Sequence, residues 1–240
     1  MLEIDRLGEE FAFENEWDLL IPFTMVRYHG QELQATAIPR VSRRVRSFLS
    51  RFAEDPFSDE ALAWLWAGIA PKESEWGYRG GKFRWRRCRI LRIPEDKPLP
   101  APRPETRVVT EQDGACNLTT YRIAETVASG CLAVGTVIDG RVVSVAVTHE
   151  GISELERGDT VEIGVETAPE ARGHGYAASA LSLATSLLRE RGIIPEYRYT
   201  RSNRASGAVA ARVGYEEVGE ACYLLMRRIP RKKIPTETAD

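Results

Sequence analysis

Histidine and cysteine are scarce in this chain of 240 residues, and both are scattered. The three histidines, His29, His149 and His174, form no i,i+4 pair, so no metal site is expected. The four cysteines, Cys88, Cys116, Cys131 and Cys222, include no C-x-x-C pair and read as reduced thiols of a cytoplasmic protein. No apolar run approaches the roughly 18 residues that a membrane-spanning helix needs. The acidic opening, Met1 to Arg6, lacks the apolar stretch of a secretory signal. Charge of one sign is missing too: 33 Lys and Arg face 35 Asp and Glu, and residues 1–105 alone hold 17 of each. Neither a membrane nor nucleic acid is therefore an expected partner of the chain as a whole. With 43% hydrophobic residues, the chain can bury a core without disulfide or metal staples.

What is present is organised around a proline-rich segment. Pro94 to Pro104 carries five prolines in eleven residues, which neither a helix nor a central strand tolerates. It reads as a linker or an extended edge, and it divides the sequence into an extension, 1–105, and a domain, 106–240. In the extension, Val41 to Phe52 and residues 59–69 have helical spacing, the second with Ser58 as its N-cap. A turn at Trp76 to Gly81 leads into the strand Lys82 to Ile93. Seven basic residues and no acid lie between Arg79 and Arg92.

From residue 112 the pattern reads α-β-β-β-α-β-α-β, a mixed α/β class. A helix is expected over Gln112 to Ser129. Strands follow at Cys131–Ile138 and Arg141–Thr148, joined by the hairpin signal Asp139-Gly140. A third strand spans Thr160–Thr167, and a helix spans Ala177–Arg191 with Gly192 as its C-cap. The remaining elements are a strand at Ile193–Thr200, a short helix from Asn203 to Gly214, and a strand at Glu217–Arg227.

The informative junction is Val161-Glu-Ile-Gly-Val-Glu-Thr-Ala-Pro-Glu-Ala-Arg-Gly-His-Gly-Tyr-Ala-Ala178. A strand stops, and a loop with two glycines opens a long helix. The unpaired N–H groups and partial positive charge of a helix start, with glycines that let a ligand come close, make a cradle for phosphate or pyrophosphate. Gly173-x-Gly175-x-x-Ala178 also satisfies the loose dinucleotide fingerprint. Five residues separate the strand from Gly173, however, and only 40 residues follow Thr200, too few for a doubly wound sheet. The remaining ligand class is coenzyme A.

On these residues the second half, 106–228, resembles the GNAT superfamily of acyl-CoA-dependent N-acyltransferases. Arg172-Gly-His-Gly-Tyr-Ala177 matches that family's pyrophosphate loop. Asn203 to Ser206 and Val213-Gly214-Tyr215 match the start and end of its next helix. The Glu-Ile-Gly-Val-Glu-Thr strand and Ile194-Pro195 are similar to an FR47-like bacterial branch.

The resemblance implies a mixed-sheet acyltransferase fold and acetyl-CoA as co-substrate. Backbone N–H groups of Ile163 and Val165, within the strand that continues through Glu166 and Thr167, would hold the acyl carbonyl and pantetheine arm. Arg172, Gly173, His174, Gly175, Tyr176, Ala177 and Ala178 would hold the pyrophosphate, and Asn203 with Ser206 would touch the pantetheine. The general base is expected to be Glu162, then Asp159, with His149 ending the preceding strand. The position at which many relatives carry a tyrosine acid is Ala210 here, which leaves Tyr215 or Tyr223 as substitutes. The implied activity is acetyl transfer to a primary amine of a small molecule or peptide, with a homodimer as an allowed state. Two further readings stand beside it: a non-catalytic acyl-CoA sensor, and an RNA-directed protein using residues 79–92.

Overall fold

The computed structural model describes residues 2–4, 19–72, 78–114 and 117–228. Cys116 and the turn residues Trp76 and Gly77 lie outside the described residues, as do the side chains of residues 79–84. The chain divides into two compact units, residues 1–87 with 220–240, and residues 88–219.

In the first unit, β1 (Leu2–Ile4) runs parallel to β3 (Gln34–Ala37), which pairs antiparallel with β2 (Leu19–Tyr28). Two helices follow, α1 (Pro39–Arg51) and α2 (Asp59–Ile69). Pro39 suits the first turn of α1, where an N–H would have no partner. Ser58 caps α2 by accepting from the Ala61 N–H at 3.2 Å. Alternate residues Phe23 and Met25 of β2 meet Val41, Val45 and Phe48 of α1 in one apolar core. Phe23 and Phe48 pack edge to face at 5.9 Å.

The second unit is built on a sheet. β4 (Tyr78–Arg92) enters it with residues 88–92, next to β9 (Ile194–Thr200). Then come β8 (Thr160–Thr167), β7 (Arg141–Gly151), β6 (Cys131–Ile138) and β5 (Thr106–Val108). All neighbours are antiparallel except β8 and β9, which are parallel and joined through α4 (Tyr176–Glu190). α4 and α5 (Arg204–Val213) cover one face, with Ala180, Leu181, Ala184 and Leu188 packed on Val161, Ile163 and Tyr197. The opposite face carries α3 (Ile123–Ala128) over Val145 and Val147. β10 (Glu216–Arg228) is the last element among the described residues. No helix among the described residues is long and apolar enough to cross a membrane.

Two expectations change. The helix anticipated over Gln112–Ser129 is only Ile123–Ala128. Upstream of it, Asn117 has φ +49°, and three consecutive N–H groups, Thr119 to Tyr121, donate to the Glu166 carboxylate instead of to a helix. The proline-rich segment is bound along its length to α4. Ser182 donates to the Pro100 carbonyl, Arg189 to the Lys97 carbonyl at 2.9 Å, and the Arg103 N–H to Ser179 Oγ at 2.8 Å. Prolines have no N–H to satisfy, so the side chains of α4 take up the strap's carbonyls instead.

Candidate active site

β8 and β9 are in register from Thr160 and Ile194 to Ile163 and Tyr197. β8 then continues four residues to Thr167 and β9 three residues to Thr200, with no further pairing between them. Burial follows the same line: Val161 and Ile163 are buried but residues 164–167 are only half-buried, and Pro195 to Tyr197 are buried but residues 198–200 are not. The strands part and leave a cleft with an unladdered edge of roughly 13 Å along β8, four residues at about 3.3 Å each.

Strand geometry says which groups face it. The Ala168 N–H donates to Val143 and the Glu166 carbonyl accepts from Ser144 Oγ, so even-numbered positions turn their backbone toward β7. The groups of Ile163, Val165 and Thr167 therefore turn toward β9. Ile163 is the last residue in the ladder, and Val165 offers the first cleft-facing N–H beyond it.

At the end of the cleft lies the glycine loop. Gly173 and Gly175 both have φ +81°, a conformation that costs other residues about 1–2 kcal/mol. Gly175 is the N-cap of α4 and has no side chain to cap it, so the first N–H groups of the helix are left to a ligand. Two carbonyls beside the cradle are paired: Arg103 donates to the His174 carbonyl at 2.8 Å, and Arg172 Nε to the Thr167 carbonyl at 3.4 Å. His174 Nδ1 lies 2.9 Å from the Arg172 carbonyl, which makes Nδ1 the protonated nitrogen. Arg103 also covers the Tyr176 ring, which stacks on His174. The Arg212 guanidinium of α5 stands 3.7 Å from where a Cβ on Gly175 would be, and adds positive charge to the cradle. These features suit a pyrophosphate joined to an extended arm lying in the cleft.

On the α3 face, beside the opening, the polar side chains converge. Glu162 projects next to His149, with Nδ1 to Oε1 at 3.5 Å, and next to Arg198, with Nε to Oε2 at 3.6 Å. His149 Nε2 is 3.1 Å from the Tyr121 hydroxyl. A carboxylate only accepts, so a neutral His149 turns Nδ1–H toward Glu162 and accepts the Tyr121 hydroxyl at Nε2. Gly164 is required here, because a Cβ would fall 1.7 Å from the Tyr121 oxygen and 2.6 Å from His149 Nε2. Arg198 is held by Glu196, itself 1% exposed and bound by Arg92 at 2.8 Å and by Arg198 Nη2 at 2.6 Å. Burial pushes the Glu166 carboxyl up, but the N–H groups of Thr119, Tyr121 and Thr120 and the Thr119 hydroxyl outweigh it and hold it below the usual carboxylate range. That anchor carries Tyr121 to His149.

Of the residues singled out from sequence, Glu162, Ile163, Val165, Glu166, Thr167 and the loop from Arg172 to Ala178 surround this cleft and cradle. Asn203 caps α5 by accepting from the Ser206 N–H at 3.2 Å, and Ser206 Oγ meets the Tyr197 hydroxyl at 2.8 Å. Asp159 sits at the other end of β8, where it accepts from the Glu156 N–H at 2.8 Å. Val165 is six residues further on, roughly 20 Å of extended strand. Tyr215 is buried, its hydroxyl 2.7 Å from Thr185 Oγ1, and burial pushes its pKa far up. Tyr223 belongs to β10 in the first unit. Three arginines of the basic strand are paired with carboxylates: Arg87 with Asp59, Arg89 with Glu217 and Arg92 with Glu196. Tyr121, Arg198 and Arg212 were not found from sequence. Gly164 was the one signal for Tyr121, since a lone glycine inside an apolar strand marks a close approach.

A family model described as the acetyltransferase (GNAT) family matches residues 95–215, about half the chain. Among solved structures, a protein assigned to the same family from Novosphingobium aromaticivorans is 21% identical, with a TM-score of 0.47 over 63% of this chain and 68% of its own. A GCN5-related N-acetyltransferase-like protein from Streptococcus suis is 15% identical, with a TM-score of 0.48 over 88% and 89%. A GCN5-related N-acetyltransferase from Kribbella flavida is 17% identical, with a TM-score of 0.46 over the same shares. No curated protein matches the sequence.

Proposed function

The chain belongs to the GNAT family of acetyltransferases, and from that premise we propose that it transfers the acetyl group of acetyl-CoA to a primary amine. The parting of β8 from β9 beyond Ile163, with Glu162 and His149 beside the opening, is the observation that carries this reading.

Bound acetyl-CoA would supply an activated acyl carbon. The chain's own residues do the rest. The N–H groups at the start of α4, with Arg212 beside them, hold the pyrophosphate. The Val165 N–H donates to the acyl oxygen, where negative charge develops. A primary amine arrives largely as its cation at neutral pH. Glu162 attracts it and takes a proton from nitrogen, leaving the lone pair for attack. His149 and Arg198 orient the Glu162 carboxylate, and Tyr121 fixes the His149 ring. The cysteines Cys88, Cys131 and Cys222 fit a reducing, cytoplasmic compartment.

The test is calorimetry with acetyl-CoA, followed by CoA-release assays on amines from ethylamine and lysine to polyamines and peptide N-termini. Binding of acetyl-CoA together with release dependent on an amine is expected. Tight binding with no amine-dependent release would leave an acyl-CoA sensor instead, and absence of binding would show the loop misread.

A further inference from the structure

We propose that the Tyr199 hydroxyl delivers the proton to the departing thiolate, from strand β9 rather than from the helix that carries a tyrosine in the relatives. The assignment rests on the transferase reading above.

The helical position is vacant: Ala210 is an alanine with no exposure at all. Other hydroxyls near it are engaged. Tyr215 is bound to Thr185, Tyr197 to Ser206, and Tyr121 to His149 on the opposite face. Tyr199 is the next residue after Tyr197 to face α4 and α5, and it lies where β9 has left β8. It is half-buried, and its hydroxyl has no hydrogen-bond partner among the described residues.

Its position is also built for. A Cβ on Gly207 would lie 2.9 Å from both Cζ and the hydroxyl oxygen of Tyr199. Gly207 is inside α5 and does not have positive φ, so its backbone does not require glycine. A glycine inside a helix costs about 1 kcal/mol against alanine. Here it makes room for the phenol in the first turn after Asn203, where the family resemblance puts the pantetheine arm. A half-buried hydroxyl at a cleft, with a helix carved back to admit it, has an open valence for a ligand atom.

The step balances as follows. The amine nitrogen, its ammonium proton already passed through Glu162 to water, forms a bond to the acyl carbon and gives its next proton to Glu162. The carbon–sulfur bond breaks with its electron pair on sulfur, and sulfur takes the Tyr199 proton. Water then carries the Glu162 proton to the phenolate, which restores both groups.

Hydroxylamine is a small acceptor that makes no demand on the amine pocket, so it serves as the probe with acetyl-CoA. Tyr199→Phe keeps the ring on Gly207, and should lower kcat about 100-fold, within the usual range for a positioned acid. KM and Kd for acetyl-CoA should stay within twofold and Tm unchanged. Gly207→Ala should lower kcat as well, with the hydroxyl still present but displaced. If Tyr199→Phe keeps more than half of kcat, or if its loss tracks a fall in Tm, the assignment is overturned. Full kcat in Gly207→Ala overturns it too. Wild-type protein that transfers to neither hydroxylamine nor any amine would instead overturn the transferase reading itself.

Discussion

The first and second halves of the β8–β9 pair have opposite fates. Between Thr160 and Ile163 the strands are laddered and their core-facing side chains, Val161 and Ile163, are buried. Four residues later the same two strands share no ladder, and the residues on both are half-exposed. Unpaired strand edges are a liability that folded proteins normally cover. An edge left open inside a sheet, ending at a helix start that no side chain caps, is an edge kept for a ligand. The closed half holds the sheet together, and the open half supplies donors.

The largest effect expected from perturbing this arrangement is at the cradle. Gly175→Asp forces a side chain into φ +81° and adds an anion beside the pyrophosphate position. Acetyl-CoA affinity should fall at least about 100-fold, or about 2.7 kcal/mol, while circular dichroism shows the fold retained. Unchanged affinity by calorimetry would mean that the open half does not end at a phosphate site. Next in size is Glu162→Gln on the opposite face. It should lower kcat about 100-fold, as loss of a general base does, and leave acetyl-CoA binding as it was. Equal kcat in the two proteins would send the proton by another route.

The contrast between the halves was partly legible in the sequence. Alternation and β-branched runs gave the strands, and the glycine loop with its helix gave the cradle, because both signals are local. Tyr121 was invisible for the opposite reason. Its position depends on Glu166, 45 residues away, taking the N–H groups that a helix over 112–129 would have used. A carboxylate that accepts three consecutive N–H groups leaves no periodic trace. Arg198 likewise depends on a buried Glu196 clamped by Arg92 across the β4–β9 pair. Tyr199 was read only as part of a strand, since nothing local distinguishes a hydroxyl that faces a cleft from one that faces solvent.

Gly164 lies where the two halves meet, and it sharpens the comparison at intermediate size. A Cβ there cannot coexist with the Tyr121 hydroxyl at 1.7 Å. Gly164→Ala should cost about 1–3 kcal/mol by overpacking and lower Tm by several degrees. Tyr121→Ala in the same chain should recover part of that loss, because it removes the atom in the way. Additive losses in the double-mutant cycle would show that the two residues do not compete for this space.

The smallest expected effect concerns the anchor behind Tyr121, and its sign follows from linkage. The Glu166 carboxyl is held below its ordinary range by the donors at Thr119 to Tyr121, despite burial. A carboxyl whose folded value lies below its unfolded value of about 4.3 contributes stability above that pH. The contribution disappears as pH falls through the folded value. Glu166→Gln should therefore be less stable than the parent chain at neutral pH, with the Tm difference shrinking below about pH 4. Because the group is only half-buried, the difference is modest and screened by salt. Amide exchange at Thr119, Thr120 and Tyr121 should rise in the variant at neutral pH and match the parent in acid. A Tm gap that stays constant from pH 7 to pH 3 would mean that the shape of the loop, and not the charge on Glu166, carries Tyr121 to His149.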